Sequence, residues 1–223
     1  MPNSQGEIFN RVIDEALSLL SSFVTSVYEN GDSVLAKQRV INFFIDLYSQ
    51  SYLDELSYIL DQFDFDLTPT DKNNIRNGVS TSSFYRTNQS RLATILNSHE
   101  EKIREFVNNN PDMSLADIVN HFEADMFRLG VSETQIGIEQ ASVDSAVVVE
   151  FVSETKLNKT WNSLLDKRTC PTCVALHGTT IPVTESFASY TNNPDILEDL
   201  SYTGGGTAYA HPHCRCWLTY STA

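Results

Sequence analysis

The chain has 223 residues, 41% of them hydrophobic, enough for one ordinary core or two small ones. Acids outnumber bases 29 to 15, for a formal net charge of −14, and no basic stripe is present. That disfavours direct, sequence-specific nucleic-acid binding, which needs clustered Lys and Arg to displace counterions. No run of about 18 apolar residues occurs, so no membrane-spanning helix is expected. The opening Met1-Pro2-Asn3-Ser4-Gln5-Gly6-Glu7 lacks the basic-then-apolar order of a signal peptide, so the expected compartment is the cytoplasm.

Residues 7 to 29 carry apolar side chains at three- and four-residue steps, among them Val12, Ile13, Ala16, Leu20, Phe23, Val24 and Val27, and predict an amphipathic helix. Asn30-Gly31-Asp32 ends it, with Gly31 suited to a left-handed cap. Ser33 caps a second helix over about 34 to 63, with Val40, Phe44, Tyr48, Leu56 and Ile59 in its stripe. Leu67-Thr68-Pro69-Thr70 breaks the pattern. A short helix from Asp71 and a longer one from Ser82 to Val107 follow. Asn108-Asn109-Asn110-Pro111 reads as the clearest linker. Ser114 and Asp117 stand in capping-box positions for a helix that Gly130 is expected to stop. Another helix is expected from Ser132 to about Val147, and Val147–Val152 fits a helix end or a strand equally.

Beyond Lys156 the pattern changes to short apolar runs, threonines and glycines, which point to strands and loops. The stretch from Val174 to Ala210 holds Glu185, Asp195, Glu198 and Asp199 and no Lys or Arg. It reads as a long excursion with one short helix near Asp195–Leu200 and a glycine loop at Gly204–Gly206. The fold class expected is therefore α+β. A helical region, 1–110, precedes a small zinc-stabilised α+β domain, 111–223.

All four cysteines fall in that second part, in two pairs. Cys170-Pro171-Thr172-Cys173 is a C-x-x-C knuckle. His211-Pro212-His213-Cys214-Arg215-Cys216 offers up to four more donors. A reduced compartment favours metal over disulfides for such pairs. Thiolate and imidazole suit tetrahedral zinc, at about 2.3 Å per Zn–S bond. A closed structural site takes four ligands from these six candidates. Cys170 and Cys173 come first, then His211, then Cys214 and Cys216, which share a face if the segment is extended, then His213. Such an ion contributes roughly 10–16 kcal/mol in small zinc-finger peptides.

Other chemistries fit less well. Disulfides would form outside a cell. A thioredoxin-like role needs a strand–C-x-x-C–helix context, whereas here the motif leads toward Gly178. A catalytic zinc would keep an open position near a base, for which His177 and Glu185 are the available residues. A deaminase would carry P-C-x-x-C, whereas Thr169 rather than Pro precedes Cys170 here. Phosphate-binding, dinucleotide-binding and metalloprotease motifs are missing from the sequence. Arg168 and Arg215 flank the two clusters, either as counter-charges to thiolate or as partners in surface ion pairs.

Lys159-x-Trp161, Asp166-x-Arg168-x-Cys170-x-x-Cys173, Leu176-His177-Gly178 and the closing His211-Pro212-x-Cys214-Arg215-Cys216 together resemble the phage Mu F-like family of minor head, or head-morphogenesis, proteins. The resemblance covers about residues 115–220 and is specific because order, spacing and the closing motif all agree. It implies a virion component of a tailed phage, made in the host cytoplasm, present in few copies, and associated with the portal or the capsid interior. It further implies a role in head assembly or genome ejection without enzyme activity. The competing classes are a zinc-dependent hydrolase or toxin-like effector, and a non-viral zinc adaptor.

Overall fold

The computed structural model describes residues 3–30, 33–63, 68–78, 83–201, 205–210 and 214–223. The sequence-predicted cap at Gly31, the glycine Gly204, and His211 and His213 lie outside the described residues. Five helices come first: α1 (Asn3–Asn30), α2 (Val34–Phe63), α3 (Pro69–Gly78), α4 (Ser83–Asn109) and α5 (Leu115–Ser153). Strand β1 (Leu157–Asn162), helix α6 (Pro171–Leu176), strand β2 (Thr180–Pro182), a 3-10 turn (Phe187–Tyr190), helix α7 (Pro194–Ser201) and strand β3 (Trp217–Thr222) complete the chain. Helices followed by a small antiparallel sheet make the fold α+β. No helix among the described residues is long and apolar enough to cross a membrane.

The chain forms two compact units, Met1–Leu47 with Ser80–Thr134, and Tyr48–Val79 with Gln135–Ala223. Helices α2 and α5 each contribute to both. In the first unit the apolar faces of the helices meet. Leu20 and Phe23 of α1, Val40 and Phe44 of α2, Leu92, Leu96 and Ile103 of α4, and Ile118, Phe122 and Met126 of α5 form one buried cluster. Helix starts follow their capping residues. The Ser33 carbonyl accepts from Lys37 N at 2.8 Å, and Ser114 Oγ accepts the Asp117 amide at 3.3 Å.

One boundary differs from the sequence expectation. Gly130 does not stop a helix; α5 runs through it without interruption. A Cβ at that position would lie 3.5 Å from Leu20 Cδ1 and 3.7 Å from Ala16 Cβ and Leu17 Cδ2. The glycine therefore lines a close approach of α1 rather than a turn. Tertiary packing outweighs the weak helix propensity of one glycine, which amounts to about 1 kcal/mol. The ambiguous Val147–Val152 is helix as well. The chain leaves α5 where Glu150 Oε2 accepts the Leu157 amide at 2.8 Å and Glu150 Oε1 accepts from Lys156 Nζ at 2.8 Å.

In the second unit the strand order is β2-β1-β3, antiparallel throughout. Leu157, Lys159 and Trp161 of the central strand alternate inward, each buried. Their face packs with Leu176, Ile181, Phe187, Leu200 and Tyr209, and Trp161 meets Phe187 edge-on at 5.1 Å. Lys159 is the exception on an apolar face. Its ammonium donates to the Val183 carbonyl at 3.0 Å and the Gly206 carbonyl at 2.7 Å. The central strand thus pins both ends of the long excursion that the sequence shows between Val174 and Ala210.

Candidate metal centre

The strand alternation continues past β1 to Ser163, which is buried. The chain then turns through Leu164–Thr169. Asp166 organises that turn: its Oδ1 accepts the Arg168 amide at 2.8 Å, its amide donates to Thr169 Oγ1 at 3.0 Å, and its carboxylate takes a bidentate pair from Arg215 at 2.7 and 2.6 Å. The turn delivers Cys170 to the N-cap of α6. There Pro171 occupies the first helical position, where its missing N–H costs nothing. Cys170 Sγ accepts the Cys173 amide at 3.3 Å. The C-x-x-C pair is therefore a cap followed by one helical turn, and Cys173 turns inward, 2% exposed.

The second pair arrives on an extended segment just before β3. Cys214 and Cys216 are both buried and Arg215 between them is half-buried, the period-two pattern anticipated for an extended stretch. Cys173 Sγ lies 3.5 Å from Cys214 Sγ, and the sulfurs of Cys173, Cys214 and Cys216 all lie within 4.8 Å of one another. All four cysteines are free thiols. They share a cavity of about 20 Å³ with Arg168 and Arg215, room for roughly one small occupant.

The neighbours of the sulfurs are polar where it matters. Ser163 Oγ is 3.1 Å from Cys216 Sγ and also donates to the Cys173 carbonyl at 2.8 Å. The Gln135 side-chain amide donates to the Cys214 carbonyl. Contact with Cys173, then Cys214, favours the charged form of Cys216 and holds its thiol well below the usual cysteine range, against the effect of burial. Contact with Cys214 and Cys216, with burial, pushes Cys173 the other way. The sulfurs titrate together rather than one by one, a set of donors suited to a cation.

Residues 123–219 match the family model for Phage Mu protein F like protein. The Mu F-like segment begins within α5 and ends in β3. It contains Lys159, Trp161, both cysteine pairs and the long excursion between them. Comparison with curated proteins and with solved structures gives no match.

Of the sequence-predicted ligands, the structure brings Cys173, Cys214 and Cys216 into one buried cluster and sets Cys170 on the wall of the same cavity. Arg215 forms an ion pair with Asp166, and Arg168 stands 4.0 Å from the same carboxylate. His177 is exposed, as expected of a turn residue, yet its Nδ1 accepts the Ser163 amide at 3.0 Å. Glu185 accepts from the Tyr190 hydroxyl at 2.5 Å. Neither residue lines the cysteine cavity.

Ser163 was not singled out from sequence, although it extends the alternation Leu157, Lys159, Trp161 by one step. Gln135 and Glu139 carried no signal either. They belong to a run of buried polar residues on α5, Ser132, Glu133, Thr134, Gln135 and Glu139, that follows no helical period. Burial, and then proximity to Cys214 and Glu55, pushes the Glu139 carboxyl well above its usual range.

The donor set fits a structural metal. Three buried sulfurs within 4.8 Å of one another, with a fourth on the wall of the same cavity, are donors that could hold a metal ion. A bound ion would join α6 to the segment before β3, two parts of the chain 41 residues apart at Cys173 and Cys214.

Proposed function

We propose that the chain is a minor structural protein of a tailed-phage head, associated with the portal or the capsid interior and acting in head assembly or genome ejection. In this reading the Mu F-like segment is a folded module without enzyme activity, closed by one structural zinc ion. The carrying observation is a coincidence. The segment that matches the Mu F-like family is the segment in which Cys173 converges with Cys214 and Cys216 on a single buried point.

Zinc is the ion that best suits the donors, because thiolates select soft metals and a compact buried cluster favours tetrahedral geometry. Its ligands come from Cys170, Cys173, His211, Cys214 and Cys216. The available bases lie elsewhere: His177 is bonded to backbone and Glu185 to Tyr190. The acidic net charge of −14 fits protein partners, capsid or portal, better than direct contact with DNA.

The test is quantitative mass spectrometry of particles purified from cells producing a labelled chain, together with sedimentation of the label. The chain is expected to travel with heads and portal rings in a few copies per particle. A chain that stays in the soluble lysate while complete heads form without it would overturn the assignment.

A further inference from the structure

We infer that the centre is a four-thiolate site, with Cys170 as the fourth ligand. This rests on the structural-metal reading above and adds the ligand count to it.

A tetrahedral ion with bonds of about 2.3 Å holds its sulfurs about 3.8 Å apart. The Cys173–Cys214 separation of 3.5 Å is close to that, and Cys216 completes a triangle with both inside 4.8 Å. Three corners are in place and one remains. Besides those three cysteines, the described cavity wall offers Leu164, Arg168, Thr169, Cys170 and Arg215. Leucine and arginine are not ligands. Thr169 Oγ1 is already bonded to the Asp166 amide at 3.0 Å and Asp166 Oδ1 at 3.3 Å. Cys170 is the donor left among them.

Its surroundings suit that role. The half-buried Cys170 sulfur accepts the Cys173 amide at 3.3 Å, the N–H···S bond that stabilises a metal-bound thiolate. Ser163 Oγ sits 3.1 Å from Cys216 Sγ, a polar neighbour on that side of the cluster. Arg168 and Arg215 on the same wall oppose the extra negative charge that a fourth thiolate brings.

The experiment replaces zinc with cobalt in the full chain and reads the sulfur-to-cobalt charge-transfer band, whose intensity follows the number of thiolates. Cadmium-113 NMR of the unmutated chain supplies a second count that needs no variant, because the shift of a four-sulfur site differs from that of three sulfurs and one nitrogen. The expected results are a four-sulfur cadmium shift, a charge-transfer band reduced by about a quarter in Cys170→Ser, as three thiolates remain of four, and unchanged spectra in His211→Ala and His213→Ala. A three-sulfur, one-nitrogen shift, or a cobalt spectrum altered by His211→Ala and untouched by Cys170→Ser, overturns the inference while leaving a metal centre standing. Failure of the unmutated chain to bind cobalt, cadmium or zinc overturns both the inference and the structural-metal reading.

Discussion

Replacing Lys159 by methionine separates two effects that a buried ammonium combines. Lys159 is 1% exposed, and burial pushes its pKa from 10.5 down to about 8, with Asp144 and Glu185 opposing the fall. At neutral pH the charged form therefore burdens the folded state. With 1.36 kcal/mol per pKa unit, the burden at pH 7 is roughly 3 kcal/mol. Against it stand the bonds to the Val183 and Gly206 carbonyls, each costing about 1–3 kcal/mol if left unmade in the interior.

Lys159→Met removes both, so its net effect at pH 7 is a loss of about 0–3 kcal/mol. The pH profile is the sharper signal. The unfolded chain holds its proton up to about 10.5 while the folded chain gives it up near 8, so stability rises with pH across that window. Between pH 7 and 9.5 the gain is about 2 kcal/mol for the native residue and absent for methionine. The upper limit avoids the tyrosines, since Tyr52 is raised to about 12 by burial and then Asp144, and destabilises only at higher pH. Urea denaturation followed by tryptophan fluorescence at several pH values, on both proteins with metal content held equal, measures the difference. Parallel profiles for lysine and methionine would refute the claim that the buried ammonium carries this slope.

Three further perturbations test other parts of the account. Gly130→Ala is expected to raise stability by about 0.5–1 kcal/mol, because the added Cβ makes ordinary contacts with Ala16, Leu17 and Leu20; a lowered melting temperature would show the position is not a regular helical one. Ser163→Ala removes the hydroxyl beside Cys216 and is expected to weaken metal retention by about 10-fold in a chelator competition, an effect that unchanged chelation would exclude. Although burial opposes it, hydrogen bonds from Lys37 and Arg104 hold the Glu100 carboxyl down to about 2. That stability is present above the ordinary carboxylate value and is lost as pH falls from about 4.5 toward 2. Glu100→Gln should therefore flatten the acid limb by about 1 kcal/mol after solvent screening, and an acid limb identical to that of the unmutated chain would count against the ion-pair network.

The sequence showed most clearly what depends on local pattern. The stripes of α1 and α2, the short helix near Asp195–Leu200 and the Ser114–Asp117 cap followed from periodicity and capping chemistry, which act over a few residues. The convergence of Cys173 with Cys214 and Cys216 was legible because thiols in a C-x-x-C and a C-x-C have few other uses in a reducing compartment. Gly130 was misjudged because its role depends on α1, over 100 residues away in sequence. The same reason hides Gln135 and Glu139, whose partners near Cys214 are set by tertiary packing. The helical turn after Cys170 escaped notice because α6 is only 6 residues long, too short for a periodic signal. Lys159 was noticed only as part of a family motif. Its task follows from the two carbonyls it meets, which the sequence does not reveal.

The most direct test of the central claim is native mass spectrometry of the chain purified without added metal. The account predicts a mass increase equal to one zinc per chain, with loss of the protons it displaces, and its disappearance when Cys214 and Cys216 are both changed to serine. A metal-free mass that persists after incubation with zinc under reducing conditions, or one zinc retained by the double variant, would contradict it.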